Sequence, residues 1–240
     1  LMTQDEALAL LSSWAGRLTD GPGDIGKEIV DRIARLPLAT KLAGVQLRRE
    51  EPRAWLRQLN VAMLKTNRPE TIHDSLELTF RASIDDLPDE ERLAYSVLVI
   101  FKEDQMTSEH VVARLWRAMC GLEASESAKL LDKLASLALL DLVGKNPRRV
   151  ALHDLLRDFL REDLREQGAA AAHDALLNSY CVARSATDWI ALPNDGYLFD
   201  HLAYHLLSVG RREELYELLT GSWEWAARKS TVLGGDLSYV

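Results

Sequence analysis

Leu139-Leu140-Asp141-Leu142-Val143-Gly144, then Lys145-Asn146-Pro147-Arg148, then Arg149-Val150-Ala151-Leu152 run in unbroken order past the middle of this 240-residue chain, and their reading decides its fold. Two short apolar runs joined by a turn bearing Gly, Asn and Pro predict a two-stranded ribbon with its tip at Asn146-Pro147. Three helical patterns come before it, at about 88 to 101, 108 to 118 and 124 to 138, with apolar residues at spacings of three and four. The first opens on Pro88-Asp89-Glu90-Glu91, carboxylates near the positive end of a helix dipole. Three helices and then a ribbon is the order of a winged helix.

Working outward, the N-terminal side reads as a four-helix bundle over residues 1–66. Thr3 and Glu6 have capping-box spacing ahead of Ala7, Leu8, Leu11 and Trp14. Gly21-Pro22-Gly23 breaks the chain, Asp24 caps a helix carrying Ile25, Ile29, Val30 and Ile33, and Pro37 suits the first turn of a third, which runs to Leu47. Trp55, Leu59 and Leu64 mark a fourth. The winged-helix domain is drawn over 67–153, starting with a helix after Pro69 that carries Leu76, Leu78, Phe80 and Ile84. Residues 154–230 return to helices, at about 154 to 166, 169 to 187, 196 to 209, 211 to 220 and 222 to 229, with one strong turn cluster at Pro193-Asn194-Asp195-Gly196. Residues 231–240 read as a tail or the start of a further module. The fold class predicted is mainly α, with a small β-ribbon wing.

Hydrophobic residues make up 47% and charged residues 28% of the chain, the balance of a chain that folds rather than of a disordered one. A net charge of −8 opposes a phosphate backbone unless cations gather on one face, and no such cluster stands out. Cys120 and Cys181 lie far apart among apolar helical residues, which predicts unpaired thiols and a reducing compartment. Neither a bilayer-length apolar run nor a leader pattern is visible, so the expected location is cytoplasmic. Leu1 ahead of Met2, with a helix starting at once, suggests a piece of a longer polypeptide.

Several motifs bear on chemistry. Gly21-Pro22-Gly23-Asp24-Ile25-Gly26-Lys27-Glu28 nearly spells a phosphate-binding loop. A working loop follows a buried strand and ends in a hydroxyl for magnesium, whereas here a helix precedes it and Glu28 puts a carboxylate at that place. It reads as a helix connector. His201 and His205 stand four apart, as zinc ligands would, but lack the neighbouring glutamate and a third ligand, and read as packed or surface histidines. The third helix of the winged domain balances Glu126 and Asp132 against Lys129 and Lys133 and has no arginine for base edges, which argues against DNA. His153 sits where the second wing strand meets the next helix. An imidazole there can cap that helix or offer a ring N–H to an anion such as a nucleotide phosphate.

Taken together, three stretches resemble the NB-ARC (STAND) family of nucleotide-switched signalling ATPases, of the Apaf-like type. Leu36-Pro37-Leu38-Ala39 resembles the family's GLPLA motif, with Arg35 in place of its glycine. Leu152-His153-Asp154 resembles the MHD motif, with Leu152 in place of its methionine. Asp195-Gly196-Tyr197-Leu198-Phe199-Asp200-His201-Leu202-Ala203-Tyr204-His205-Leu206, followed by Gly210-Arg211 and Trp223, is similar to an arm-like helical domain that often leads into WD repeats, which would make 154–230 that domain. The resemblance implies that Pro37 packs near the adenine and His153 contacts the β-phosphate of ADP in the parent protein. It also implies an upstream P-loop nucleotide-binding domain and a downstream repeat domain in the same polypeptide, with self-association on activation. On that reading the chain is the regulatory part of an ADP/ATP switch and not itself an enzyme. It carries no P-loop of its own, binds no nucleotide alone and touches no membrane. A winged-helix transcription regulator with a helical protein-interaction domain is the alternative.

Overall fold

The computed structural model describes residues 1–16, 25–65, 72–180, 186–192, 194–221 and 223–234. Gly21-Pro22-Gly23 with Asp24, Pro69, Cys181, Pro193 and everything beyond Gly234 lie outside the described residues. The architecture is mainly α with a small antiparallel sheet. The chain divides into two compact units, Leu1–Arg92 with Asp132–Asp141, and Leu93–Leu131 with Leu142–Val240.

In the first unit α1 (Gln4–Ala15) begins with the predicted capping box. The Glu6 N–H donates to Thr3 Oγ1 at 3.3 Å and the Thr3 N–H to Glu6 Oε2 at 2.8 Å. Helices α2 (Ile25–Arg32), α3 (Pro37–Gln46), α4 (Pro52–Lys65) and α5 (Ile72–Asp85) follow. Leu11, Ile29, Val30, Ile33 and Leu42 are fully buried, which is what their three-and-four spacing requires. Helices α1 and α3 approach closely because Gly44 has no side chain: a Cβ there would sit 2.6 Å from Trp14 Cβ. Buried Gln46 ties three helices together. Its Nε2 donates to Thr79 O at 3.0 Å and Ser83 Oγ at 2.9 Å on α5, and its Oε1 accepts from Trp55 Nε1 on α4. Thus α5, placed by sequence at the head of the winged domain, packs with α3 and α4.

The second stretch of the fold runs α6 (Asp89–Ser96), a 3-10 turn (Val97–Ile100), β1 (Thr107–Ser108), α7 (Glu109–Cys120), α8 (Ala124–Ser136), β2 (Asp141–Val143) and β3 (Arg149–Ala151). The sheet has the order β1-β3-β2, and Thr107 pairs with Val150 and Ser108 with Arg149. The predicted ribbon is therefore a three-stranded sheet. Its first strand has only two residues, too few to show alternation, and Ser108 doubles as the N-cap of α7, accepting from the His110 N–H at 3.3 Å.

Helix α9 (Asp154–Tyr180) leaves β3 directly and is interrupted only at Arg165, whose φ of 59° and ψ of 165° are not helical. The break expected between 166 and 169 is thus present one residue earlier, and Asp154–Tyr180 is two helical segments that meet at Arg165. Helices α10 (Ala186–Ala191), α11 (Leu198–Ser208), α12 (Arg212–Gly221) and α13 (Trp223–Leu233) complete the unit around a core that includes Leu177, Trp189, Leu202, Leu206 and Trp225. Buried Arg157 anchors the start of α9: its Nη1 donates to the carbonyls of Phe101 and Val99.

Candidate functional site

Pro37 is the first residue of α3, where its missing N–H leaves no bond unmade, and Leu36 is the N-cap in extended conformation. The ring is exposed. Immediately before it, Ala34 and Arg35 hold φ of 55° and 53° and close the end of α2, with the Arg35 N–H donating to Val30 O at 2.8 Å. A left-handed backbone is what glycine adopts at least cost. The structure therefore places Arg35, the residue that departs from the motif's glycine, in a conformation that suits glycine.

His153 is the N-cap of α9. Its carbonyl accepts from the N–H of Leu156 at 2.9 Å and of Arg157 at 3.0 Å, and its Nδ1 accepts from the Leu155 N–H at 3.3 Å. A neutral imidazole that accepts at Nδ1 carries its hydrogen on Nε2. The side chain is exposed, so this N–H is available to a ligand. The junction is held from two sides. Arg157 fixes the helix, and Arg148 fixes the wing through an ion pair from its Nε to Glu109 Oε2 at 2.8 Å and a backbone N–H to Glu109 Oε1 at 2.9 Å. Burial alone would raise the Glu109 carboxyl, but the Arg148 N–H and guanidinium hold it below its ordinary value. Pro37 belongs to the first unit and His153 to the second.

Of the near-P-loop, Gly21–Asp24 lie outside the described residues, while Ile25, Gly26, Lys27 and Glu28 form the first turn of α2, and α1 precedes them. Lys27 and Glu28 line an open groove of about 670 Å³ together with Asp31, Arg53 and Arg57, so charges of both signs face it. On α8, Lys133 is tied to Glu91 at 2.5 Å.

Both histidines of the 201/205 pair are packed, with exposures of 6% and 0%. His205 Nε2 meets Tyr197 Oη at 2.7 Å and its Nδ1 meets His173 Nδ1 on α9 at 2.6 Å. Among the described residues no group of three His, Cys, Asp or Glu is placed to hold a metal, and no helix is long and apolar enough to cross a membrane. Among the described residues Cys120 forms no disulfide. The sequence reading missed His173, which only the fold brings to His205, and Lys229, which lies four residues after Trp225 and three before Val232 on the buried stripe of α13. That periodicity was the available signal.

The sequence that builds these elements matches relatives of one class: the chain is homologous to Apaf-like, NB-ARC proteins. It is 28% identical over 240 residues to apoptotic protease-activating factor 1 of Danio rerio, covering 97% of this chain and 18% of that protein. It is 26% identical over 241 residues to the Rattus norvegicus protein of the same name, covering 96% of this chain and 18% of that protein. To a probable disease resistance protein of Arabidopsis thaliana it is 27% identical over 175 residues, which are 66% of this chain and 21% of that protein. The chain thus spans about a fifth of the length of the relatives it matches. No family model matches it.

Proposed function

We propose that this chain is the regulatory, nucleotide-state-sensing part of a cytoplasmic signalling ATPase switched by ADP and ATP. In that protein a P-loop domain of the same polypeptide binds the nucleotide and performs catalysis, and a downstream repeat domain senses the signal. Pro37 packs near the adenine and His153 contacts the β-phosphate of ADP, which favours the closed, autoinhibited state. Exchange for ATP removes that bias and frees the surfaces for self-association. The chain alone hydrolyses no nucleotide, and Lys27 plays no part in catalysis.

The observation that carries this reading is the double use of one imidazole. His153 spends Nδ1 on the end of α9 and so presents Nε2–H outward from a fixed ring. One hydrogen bond from that N–H to a charged phosphate is worth about 1.5–3 kcal/mol, enough to bias a two-state equilibrium more than tenfold.

The test compares two substitutions in the full-length protein. His153→Ala removes the cap and the outward donor together, whereas His153→Asn keeps a capping oxygen but, on its shorter side chain, no longer presents an N–H where the imidazole Nε2–H stands. If the reading holds, both variants lose ADP faster and oligomerise without the trigger, while the Asn variant melts like the parent. ADP release and oligomer mass unchanged in His153→Asn would leave the residue as a helix cap alone.

A further inference from the structure

Lys229 on α13 has an exposure of only 9%, and among the described residues its ammonium makes neither a hydrogen bond nor an ion pair. A cation withdrawn from water normally acquires a carboxylate partner, because the charged form is otherwise disfavoured. Burial indeed pushes the Lys229 ammonium down from its ordinary value, Asp200 pulls it back up, and Lys102 adds to the depression. Lys102 itself lies over the Tyr204 ring, 6.0 Å from its centre.

Both lysines and Asp200 line a single cavity of about 260 Å³. Its remaining walls are apolar, including Leu218 and the stacked pair Phe199 and Trp225, whose ring centres are 5.1 Å apart. Leu207 and Leu219 lie at the same cavity and are 54% and 44% exposed, so an apolar path leads in from the surface. Lys102 and Asp200 are exposed at the rim while Lys229 is buried, and two cations against one carboxylate leave net positive charge beside the apolar walls. The complement of such a cavity is a molecule with one anionic end and a greasy body. At the roughly 30 Å³ that a water molecule occupies in the liquid, the space holds about eight or nine such groups, the size of a medium-length chain.

We propose that this cavity binds a medium-chain carboxylate, its head group on Lys229 and Lys102 and its hydrocarbon against Phe199, Leu218 and Trp225. The carboxylate would supply the partner that Lys229 lacks, and the apolar walls would take the chain out of water. The site uses neither Pro37 nor His153, so its failure would leave the nucleotide reading untouched.

The test is calorimetric titration of the 240-residue chain with octanoate, with octan-1-ol as the uncharged chain and acetate as the bare head group. Octanoate should bind one per chain, about tenfold or more tighter than the alcohol, with acetate silent. Lys229→Met should weaken octanoate about tenfold and leave the alcohol unchanged. Since a variant at a buried position can repack the cavity, Lys102→Met, on the other side of it, should weaken octanoate severalfold with an unaltered melting temperature. Octanoate and octanol binding alike, or octanoate binding indifferent to both variants, would overturn the proposal. A chain that ignores octanoate but binds an acidic amphipathic peptide in a Lys229-dependent way would overturn it too, in favour of a protein partner.

Discussion

His173 Nδ1 and His205 Nδ1 face each other at 2.6 Å, both rings buried, across the packing of α9 on α11. Only one hydrogen fits between two such nitrogens, so one ring donates and the other, which accepts, is neutral. Burial pushes His173 down to about 4, and burial together with the neighbouring His173 and His201 drives His205 well below its ordinary value. Unfolded, each would titrate near 6.5. Between pH 6.5 and about 4 the unfolded chain therefore binds protons that the folded one refuses, and stability falls as pH falls. His173 alone accounts for roughly 3 kcal/mol over that window. The melting temperature should be flat above pH 7 and drop steadily from 6.5 to 5. His173→Asn, which keeps donor and acceptor atoms but does not titrate, should flatten the slope. A constant melting temperature from pH 7 to 5 in the parent chain would refute the neutral pair.

Arg35→Gly should stabilise the first unit. The left-handed φ of 53° at Arg35 costs an L-residue about 1–2 kcal/mol, against roughly 0.5–1 kcal/mol for the added freedom of glycine in the unfolded chain. The lost ion pair to Asp31, at 3.6 Å and exposed, contributes little. A gain of up to about 1 kcal/mol in chemical denaturation is expected. A loss would mean that the Arg35 side chain matters in a way its contacts do not reveal.

Gly44→Ala should do the reverse. The added methyl meets Trp14 Cβ at 2.6 Å and the backbone oxygen of Leu11 at 3.2 Å, neither of which can swing aside. Overpacking of this kind costs about 1–3 kcal/mol, more than the helix propensity that alanine returns. Urea denaturation reads the sign directly. A more stable Gly44→Ala protein would show that α1 and α3 separate at little cost.

The wing should loosen in acid. The Glu109 carboxyl is held below its ordinary value, so its contribution is present above the unfolded value, near 4.5, and disappears as pH falls through the lower folded one. Glu109→Gln should therefore lower protection of the wing amides from hydrogen exchange at pH 7, and make less difference at pH 3. Equal protection at pH 7 would show that β1 and β3 hold the wing without the Arg148 pair.

How much of this was legible beforehand differs element by element. Thr3 with Glu6, and Asp141 to Ala151, announced themselves because caps and ribbons are written in adjacent residues. β1 was invisible because two residues carry no period, whereas the interruption of α9 was legible to within a residue or so, because the chain near Gly168 reads as a helix end and Arg165 leaves the helical conformation. The polar anchors were hidden for a different reason: Gln46 and Arg157 are residue types of the surface, and only partners far along the chain explain their burial. Pro37 and His153 are candidates from pattern alone. The capping role of His153 could be named from its junction, but the free Nε2–H required the ring's orientation.

The anchoring of Arg157 on the Phe101 and Val99 carbonyls bears on how such chains can be inherited. A crossover between two relatives at residue 153, which looks like a natural seam, would give the wing of one parent and the helix of the other. The guanidinium would then arrive at a turn that did not evolve with it, and the histidine would cap a helix aimed by foreign contacts. Exchange is expected to succeed only where the segment from Val97 to Arg157 travels whole, so the seams along which evolution cuts this protein should fall outside it.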